Sequence, residues 1–356
     1  MSSENVKAFV LAAGAGTRLR PLTYAIPKPM VPVANKPVLE HTVENLSRHG
    51  IRTMVFNLHH YPRMIREYFG KGERWNVDIS YSYEPRLLGT AGGLKKVEKF
   101  FRDGTFLVMS GDGLSDINLG RVLEFHRRKK ALGTMVLKAV DSRFEYGVTL
   151  TDKSGRIKKF IEKPCWSDVF SNKVNTGIYV FEPAVFKYIP KNKFYDFGKD
   201  VWPDLLRRRQ PIYGIEIFDY WTDVGNLKEY RQGVRDALDG RLKINIAGQQ
   251  LYPGIYVGEN TKISRGARLI APCVIGRDCH IENKAVVGPY TTLAAKCQIG
   301  QGALVSNSIL WGRVRVFRGV KLDNCIIGYR GVVSSNITVY EGSVLNVAFG
   351  GKEIAK

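Results

Sequence analysis

Residues 6–19 read Val-Lys-Ala-Phe-Val-Leu-Ala-Ala-Gly-Ala-Gly-Thr-Arg-Leu, an apolar run that ends in two closely spaced glycines. A short apolar run bounded by glycine is typical of a buried strand. Glycines after a strand allow a tight turn in which the backbone N–H groups stay unhindered. Successive N–H groups in such a turn form a site for anions. The stretch therefore predicts a strand followed by a phosphate-binding loop.

This loop differs from two common nucleotide-binding motifs. The third glycine of the dinucleotide fingerprint is replaced by Leu19, and no acidic residue ends a second strand about 20 residues further on. The Gly-Lys-Ser/Thr triplet of the P-loop is also missing from the loop. The loop instead offers the N–H groups of Gly14 and Gly16, the Thr17 hydroxyl and the Arg18 guanidinium, which can bind phosphate oxygens in bidentate fashion. These groups predict a phosphate-binding site of a different kind.

From the loop to about residue 240, short apolar runs alternate with segments of helical periodicity. The predicted strands are 6–12, 53–58, 77–83 and 105–110, and the predicted helices are 37–49, 62–69 and 119–128. This alternation predicts an α/β domain over residues 1–240 with a mainly parallel, Rossmann-like sheet. Ligands of such sheets bind beyond the carboxyl ends of the strands. The loops after Ala12 and Ser110 lie at such ends.

After residue 240 the sequence follows a period of six. Aliphatic residues occupy every sixth position from Val257 to Val305, and a small residue follows each of the first eight by four positions. The period then slips by one residue twice, giving the series Leu304, Leu310, Val316, Leu322 and the series Ile327, Val333, Val339, Leu345. A hexapeptide period predicts a parallel, left-handed β-helix over residues 241–356. Cys273, Cys279 and Cys297 are predicted to fill small interior corners.

Composition narrows the class of function. The chain has 356 residues, with 54 Lys+Arg against 33 Asp+Glu, and a formal net charge of +21. Such a charge favours anionic ligands in general, such as nucleotides, phosphosugars, nucleic acid or an anionic membrane. The chain has no aromatic-interleaved basic motif of a nucleic-acid module, so we do not predict nucleic acid as a partner.

Cysteine content and hydropathy point to an intracellular globular protein. The five cysteines are few, odd in number and contain no Cys-x-x-Cys pair, which argues against a disulfide framework or a zinc site. No apolar run approaches the roughly 20 residues that span a bilayer. Residues 1–5 lack the basic and apolar regions of a signal peptide, which predicts a cytoplasmic location.

Eight short motifs follow one another in order along the chain: 11–23, 27–33, 89–92, 111–112, 146–147, 162–164, 175–177 and 221–225. Together they resemble the signature of the sugar-1-phosphate nucleotidyltransferases, or sugar-nucleotide pyrophosphorylases. Many members also carry a C-terminal β-helix, so the resemblance covers nearly the whole chain. It implies that a sugar-1-phosphate oxygen attacks the α-phosphorus of a nucleoside triphosphate, giving an NDP-sugar and pyrophosphate.

The resemblance also implies a role for individual residues. Catalysis would depend on Arg18, Lys28, Asp112 and Lys163, and Mg²⁺ would be held by Asp112 and Asp223. The implied nucleotide-binding residues are Leu11, Ala13, Gly14, Gly16, Thr17, Arg18, Glu84, Gly89, Thr90 and Gly111. The implied sugar-phosphate-binding residues are Gly147, Glu162, Lys163, Asn175 and Thr176.

Two features bear on the choice of substrates. Glu84 lies where thymidylyl relatives carry a glutamine that contacts the base; a carboxylate can accept hydrogen bonds from guanine N1–H and N2–H₂, which favours GTP. The stretch 162–177 resembles bacterial mannose-1-phosphate guanylyltransferases. We therefore expect synthesis of GDP-mannose from GTP and mannose 1-phosphate. The alternative is UTP, dTTP or ATP with glucose 1-phosphate.

Two rival functions stay open. A non-catalytic regulatory paralogue would be signalled by loss of Arg18, Lys28, Asp112, Lys163 or Asp223, but all five are present. Acyl transfer by the β-helix usually needs a catalytic histidine, and His280 is the only histidine after residue 126. We expect the β-helix to serve in assembly of a homo-oligomer or in allosteric contact.

Overall fold

The computed structural model describes residues 6–24, 26–140 and 146–341, together with the backbone of Val344–Leu345. The chain forms two compact units. The first contains Met1–Ala15, Pro27–Pro29 and Leu39–Asp223, and the second contains Gly16–Ile26, Met30–Val38 and Val224–Lys356. The predicted domain boundary at residue 240 stays a prediction.

The seven strands and helices predicted before residue 240 are each found within one residue of their predicted bounds, among a larger set of strands and helices. In chain order they are β1 (Lys7–Leu11), β2 (Pro32–Val33), β3 (Lys36–Pro37), α1 (Val38–Arg48), β4 (Thr53–Leu58), α2 (Pro62–Phe69), β5 (Asp78–Tyr83), α3 (Gly89–Lys96), β6 (Phe106–Ser110), β7 (Gly113–Ser115), α4 (Leu119–Lys129), β8 (Gly133–Ala139), β9 (Val148–Thr151), β10 (Ile157–Ile161), β11 (Lys173–Phe181), α5 (Trp202–Arg207), β12 (Ile212–Ile217), β13 (Trp221–Asp223) and α6 (Leu227–Leu238). Short 3₁₀ helices cover Thr17–Leu19, Leu22–Tyr24, Lys28–Met30, Glu73–Trp75, Glu98–Phe101, Trp166–Asp168 and Pro183–Tyr188, and a π-helical turn covers Phe197–Val201.

The first unit is built on a nine-stranded sheet. Strands β6, β1, β4 and β5 lie side by side and run parallel, as the alternating pattern predicts. Strand β11 then pairs antiparallel with both β6 and β8, and β8 pairs parallel with β12. The sheet is therefore mixed, and the loops after Ala12 and Ser110 follow two of its parallel strands, β1 and β6. Its core includes Phe9, Phe106, Phe181 and Trp202, all fully buried.

The second unit is built on a β-helix of short strands, which run parallel except for the first in chain order, whose pairing with the second is antiparallel. They are β14 (Gln249–Tyr252), β15 (Ile255–Val257), β16 (Lys262–Ile263), β17 (Arg268–Leu269), β18 (Cys273–Ile275), β19 (His280–Ile281), β20 (Val286–Val287), β21 (Thr291–Leu293), β22 (Gln298–Ile299), β23 (Leu304–Ser306), β24 (Ile309–Leu310), β25 (Arg315–Val316), β26 (Lys321–Asp323), β27 (Ile326–Ile327), β28 (Val332–Val333), β29 (Thr338–Tyr340) and β30 (Val344–Leu345). They form three sheets, of seven, five and five strands.

The predicted aliphatic positions stack on one another in successive coils. Val257 pairs with Ile275, which pairs with Leu293, so that every third hexapeptide contributes to the same column. The prediction for Leu304 is wrong, because its side chain points outward and is 39% exposed, whereas Val305 is 1% exposed. One residue is lost in the corner between Val305 and Leu310, so the slip in period falls one hexapeptide later than expected. The interior cysteines are buried as predicted.

Within the second unit, one outer face of the β-helix is covered by α6 and by residues 30–38. Trp311 Nε1 donates to Tyr230 Oη at 3.0 Å, and Tyr230 donates to the Pro32 carbonyl at 2.7 Å. Asn35 Nδ2 donates to the Leu293 carbonyl at 2.8 Å. Ile326 precedes the interior residue Ile327 and belongs to the same seven-stranded sheet as Leu293; its side chain is also fully buried. Within the described part of the chain, no helix is long and apolar enough to cross a bilayer.

Candidate active site

A cavity of about 290 Å³ opens in the first unit where β1 and β6 end. Its lining residues are Leu11, Ala13, Gly14, Asn57, Glu84, Leu87, Gly89, Thr90, Ser110, Asp112, Phe194 and Asp196. Six of the ten residues predicted to bind the nucleotide are among them. The cavity lies beyond the carboxyl ends of parallel strands, where ligands of open α/β sheets bind.

The rest of the glycine-rich loop lies in the second unit. Gly16 has a φ of 62°, a left-handed conformation that favours glycine, and it precedes the 3₁₀ helix Thr17–Leu19. The side chains of Thr17 and Arg18 are exposed to solvent, and Leu19 is fully buried. The loop therefore presents its polar side chains outward while the apolar one anchors it.

Gly111 joins the ends of β1 and β6. Its N–H donates to the Leu11 carbonyl at 2.9 Å. A Cβ at this position would lie 2.9 Å from the same carbonyl oxygen, closer than van der Waals contact allows. Glycine is needed here because the backbone crosses directly over the end of β1.

Glu84 lies on the wall of the cavity and is fully buried. Its Oε1 accepts from Asn57 Nδ2 at 2.9 Å, and its Oε2 accepts from the Leu88 N–H at 3.0 Å. Asn57 also accepts from the Ala12 N–H at 2.8 Å, so it ties Glu84 to the start of the glycine-rich loop. We did not predict Asn57 as a site residue; the signal was an amide near the end of an otherwise apolar strand.

Gly89 and Thr90 also line the cavity and contact the segment 195–197. Gly89 has a φ of +74°, and a Cβ there would lie 2.4 Å from the Tyr195 carbonyl oxygen. Thr90 Oγ1 donates to Asp196 Oδ2 at 2.9 Å and accepts from the Phe197 N–H at 2.8 Å. Asp196 was not predicted from the sequence, because it lies in a loop about 100 residues away from Thr90 and belongs to none of the motifs.

Lys28 lies between two carboxylates in the first unit. Its Nζ is 2.7 Å from Asp112 Oδ2 and 2.7 Å from Asp223 Oδ1. The Lys28 side chain is nearly buried, while that of Asp112 keeps 29% of its surface exposed. Ser110 Oγ donates a short hydrogen bond to the second oxygen of Asp112. Three predicted site residues from distant parts of the sequence therefore meet beside the cavity.

Strand pairing brings the two carboxylates together. Strand β7 begins directly after Asp112, and β13 ends at Asp223. The two strands are antiparallel, with Gly113 opposite Asp223 and Ser115 opposite Trp221. The sequence motifs predict that both residues are functional, but this small two-stranded sheet is what makes them neighbours.

The surrounding charges shift the pKa values of Lys28 and Asp112. Burial alone would lower the pKa of Lys28, but the charges of Asp112 and Asp223 outweigh burial and raise this pKa. Burial would likewise raise the pKa of Asp112, yet the Lys28 ammonium and the Ser110 hydroxyl hold it below its usual value. Lys28 is therefore protonated and Asp112 ionised at neutral pH.

Asp112 and Asp223 fit a divalent cation such as Mg²⁺. Among the described residues, no group of three or more His, Cys, Asp or Glu side chains is arranged to hold a metal ion. Mg²⁺ is commonly held by one or two carboxylates, with phosphate oxygens and water completing the shell. The two carboxylates already converge on a single cationic point, the Lys28 ammonium, so their placement suits a cation shared with a phosphate.

Glu162 lies close to two glycine backbones. A Cβ on Gly147 would lie 2.6 Å from Glu162 Oε2, and one on Gly198 would lie 2.4 Å from the same oxygen. Burial raises the pKa of the Glu162 carboxyl, and the charge of Asp196 raises it further, against the opposing charge of Lys163. The Glu162 carboxylate can occupy this position only because Gly147 and Gly198 have no side chains.

The other predicted sugar-phosphate residues differ in how their side chains are used. Asn175 Nδ2 donates to Tyr179 Oη at 2.8 Å, and its Oδ1 accepts from the Gly177 N–H at 3.0 Å. Thr176 is buried, and its hydroxyl donates to the Val136 carbonyl at 2.8 Å. Lys163 is exposed and has a φ of 48°. Lys163 is thus open to an anionic ligand, whereas the Thr176 hydroxyl is directed into the sheet.

Family profiles and curated relatives match most of this chain. The profile of the nucleotidyl transferase family matches residues 7–240, and that of the EIF2B subunit epsilon LbH domain matches residues 252–351. A UTP–glucose-1-phosphate uridylyltransferase of Synechocystis sp. is 38% identical over 340 residues, covering 91% of this chain and 87% of that protein. A mannose-1-phosphate guanylyltransferase of Mycobacterium tuberculosis is 32% identical over 328 residues, covering 91% of this chain and 84% of that protein.

A solved structure shows the same fold. The crystal structure of HddC from Yersinia pseudotuberculosis, complexed with GMP-PN, matches with a TM-score of 0.57 and 23% sequence identity, covering 65% of this chain and 100% of that chain. At this level of identity the likeness concerns the fold alone. The family profile and the two relatives carry the assignment, since they match most of the chain. The chain belongs to the nucleotidyl transferase family.

Proposed function

We propose that this chain transfers a nucleotidyl group from a nucleoside triphosphate to a sugar 1-phosphate, with GTP and mannose 1-phosphate as the preferred pair. The observation that carries the proposal is the meeting of Lys28, Asp112 and Asp223 beside a cavity lined by the glycine-rich loop. A site of this kind suits a reaction between two polyanions, where positioning and neutralisation of charge supply most of the acceleration.

In the proposed reaction an oxygen of the sugar phosphate attacks the α-phosphorus of the triphosphate. The bond from the α-phosphorus to the bridging oxygen breaks, and its electron pair leaves with pyrophosphate. The acceptor is already an oxyanion, so no side chain has to remove a proton. Asp112 and Asp223 would hold Mg²⁺, which would supply positive charge near the phosphate oxygens.

The side chains of this site would then bind and orient the reactants. Arg18 and the backbone N–H groups of the loop would hold the β- and γ-phosphates, and Lys28 would neutralise charge near the two carboxylates. Lys163, which is exposed, would bind the sugar phosphate. Glu162 and the neighbouring backbone of Gly147 would hydrogen-bond sugar hydroxyls. Because the Thr176 hydroxyl is already used within the sheet, its contribution would come from its backbone.

The preference for guanine rests on Glu84. Each of its oxygens accepts one hydrogen bond within the protein and keeps a second lone pair. These lone pairs can accept from guanine N1–H and N2–H₂, while a uracil or thymine carbonyl would meet a like acceptor. Relatives named as guanylyltransferases support this reading. The uridylyltransferase relative, which has the higher identity, supports the alternative of UTP with glucose 1-phosphate.

Release of pyrophosphate should be measured for four nucleoside triphosphates, each with mannose 1-phosphate and glucose 1-phosphate. We expect the highest kcat/KM for GTP with mannose 1-phosphate. The highest value for UTP with glucose 1-phosphate, with none for GTP, would replace the preferred pair by the alternative. If no pair released pyrophosphate, the rival reading as a non-catalytic paralogue would gain support and the proposed activity would be wrong.

A second experiment tests the metal and the site together. Asp112→Asn and Asp223→Asn should each lower kcat/KM by at least about 100-fold, comparable to the loss of one transition-state contact. Each should also raise the Mg²⁺ concentration needed for half-maximal rate. Asp78→Asn, at an exposed position in β5, is the matched control and should behave as wild type.

Cytoplasmic location and assembly as a homo-oligomer stay predictions.

A further inference from the structure

The β-helix carries a basic pocket that the proposed reaction does not use. A cavity of about 600 Å³ is lined by Lys296, Gln298, Arg313, Arg315 and Arg330. All five side chains are exposed. Four of them are cationic and none is acidic. Among the described residues, no carboxylate lies within ion-pair distance of Lys296, Arg313, Arg315 or Arg330.

The cations are held in register by the coils of the β-helix. Arg315 pairs with Gln298 on the preceding coil and with Val332 on the following one. Each of these three residues is preceded, two positions earlier in the sequence, by a cationic residue on the same coil. These are Lys296, Arg313 and Arg330. Neighbouring coils are about 4.8 Å apart, so the three cations of this column span roughly 10 Å. The β-helix therefore presents a rigid row of positive charge.

The row occupies a corner where a short side chain would be less strained. Lys296, Arg313 and Arg330 have φ values of 65°, 62° and 60°. This left-handed conformation favours Asn and Gly. The same corner holds Asn260 and Asp278 on the two preceding coils. At this corner, short side chains on the two preceding coils are thus replaced by long cationic ones on the three coils that line the pocket.

We propose that this pocket binds a compact small molecule with two or more phosphate groups. Arginine forks match phosphate oxygens in bidentate fashion, and a row of three cations suits phosphates up to about 10 Å apart. A volume near 600 Å³ lies in the range of small-molecule sites. A DNA duplex needs a longer track, since such complexes use about 6–10 phosphate contacts. The proposal is independent of which nucleotide or sugar the catalytic site takes.

Calorimetric titration of the full-length protein with inorganic tripolyphosphate tests the pocket. Wild type should show a binding component that Arg313→Ala combined with Arg315→Ala weakens by at least 10-fold. Arg268→Ala combined with Lys321→Ala is the charge-matched control, because both residues are exposed on another sheet of the same β-helix. The control pair should bind within twofold of wild type. Binding at the catalytic site is common to all three proteins and does not affect the difference.

Three outcomes would overturn the proposal. Unchanged binding in the Arg313 and Arg315 pair would show that the pocket takes no phosphate, and equal weakening in both pairs would show an effect of net charge alone. Lys296→Gln combined with Arg330→Gln gives an independent second variant, should the first pair lose the native thermal transition. A 20-base-pair duplex and vesicles with 30% phosphatidylserine are the competing ligands. If either bound through the pocket while tripolyphosphate did not, a macromolecular partner would replace the small molecule.

Discussion

The ammonium of Lys28 lies 2.7 Å from a carboxylate oxygen of Asp223, although 195 residues separate them in the chain. Lys28 lies the same distance from Asp112, so one cation bridges two carboxylates that would otherwise repel each other. A divalent cation between the same two carboxylates would offset their repulsion more strongly than the single charge of Lys28. The bridge therefore suggests that Lys28 and a metal ion act on one shared pair of ligands.

Replacement of Lys28 by Met tests whether Lys28 and a metal ion share Asp112 and Asp223. Without the ammonium, the two carboxylates face each other, and the free energy of unfolding should fall by about 3 kcal/mol in the absence of metal. The pKa of Asp112 should rise, since the charge of Lys28 is the largest of the influences that lower it. Millimolar Mg²⁺ should restore more stability to the variant than it adds to wild type. Urea unfolding with and without Mg²⁺ measures both effects.

Lys153→Met is the control for loss of one positive charge, because Lys153 is exposed. It should change neither the stability nor the response to Mg²⁺. If Mg²⁺ stabilised the Lys28 variant and wild type equally, the metal would not share the carboxylates with Lys28.

The raised pKa of Glu162 predicts a pH-dependent penalty on stability. Between its ordinary pKa and its raised native pKa, the native state holds more protons than the unfolded state, so stability falls as pH rises through this range. Glu162→Gln removes the ionisation. The free energy of unfolding of the variant, relative to wild type, should therefore increase from pH 4 to pH 7. Urea titrations at four pH values would measure it.

Glu124→Gln removes a carboxylate from an exposed position of α4 and serves as the control. Its difference from wild type should stay flat over the same range. A flat difference for Glu162→Gln as well would mean that burial beside Gly147 and Gly198 does not disfavour the ionised form.

Two glycine substitutions should differ in their effect on the free energy of unfolding. At Gly89 a Cβ would lie 2.4 Å from the Tyr195 carbonyl oxygen, in a backbone with φ of +74°. Gly89→Ala should therefore cost more than about 2 kcal/mol and raise the KM for the triphosphate. At Gly104 nothing lies within 4 Å of a built Cβ, and Gly104→Ala should be neutral or stabilise by up to about 1 kcal/mol. Thermal unfolding and initial-rate kinetics distinguish them, and equal effects would contradict the close approach at Gly89.

The five thiols should separate into one reactive and four protected groups. Cys165 is exposed, whereas Cys273, Cys279, Cys297 and Cys325 are buried in the β-helix. Burial raises the pKa of Cys273 to about 12, so this thiol also lacks the reactive thiolate. Ellman's reagent should titrate one thiol rapidly in the native protein and five in denaturant. More than one fast thiol, or a fast reaction in Cys165→Ser, would contradict the packing of the interior corners.

Local patterns predicted the two architectures well because each depends on a short-range rule. The strand that ends at Leu11 and the helix Pro62–Phe69 follow from apolar periodicity alone. The β-helix follows from a six-residue period, and its columns match the predicted residues except Leu304. That exception arose because two adjacent aliphatic residues, Leu304 and Val305, leave the position of the one-residue slip ambiguous.

Contacts between distant parts of the chain could not be predicted in the same way. Asn57 and Asp196 lie outside the motifs, and only the fold brings Asn57 to Glu84 and Asp196 to Thr90. The meeting of Lys28 with its two carboxylates depends on the pairing of β7 with β13, which three residues in each strand are too few to signal. The motif order identifies such residues as functional, while the geometry of their contacts comes from tertiary structure.

The stacked columns of the β-helix have a mechanical consequence. Residues that pair between coils are 17 or 18 positions apart, so an inner coil is held by the coils before and after it, and the last coil mainly by the one before it. A force applied at the last strand would peel the coils one at a time, each releasing roughly 60 Å of extended chain. In a single-molecule pulling experiment we expect the β-helix to unfold in a series of extension steps of nearly equal length. The mixed sheet of the first unit should instead unfold in one larger step.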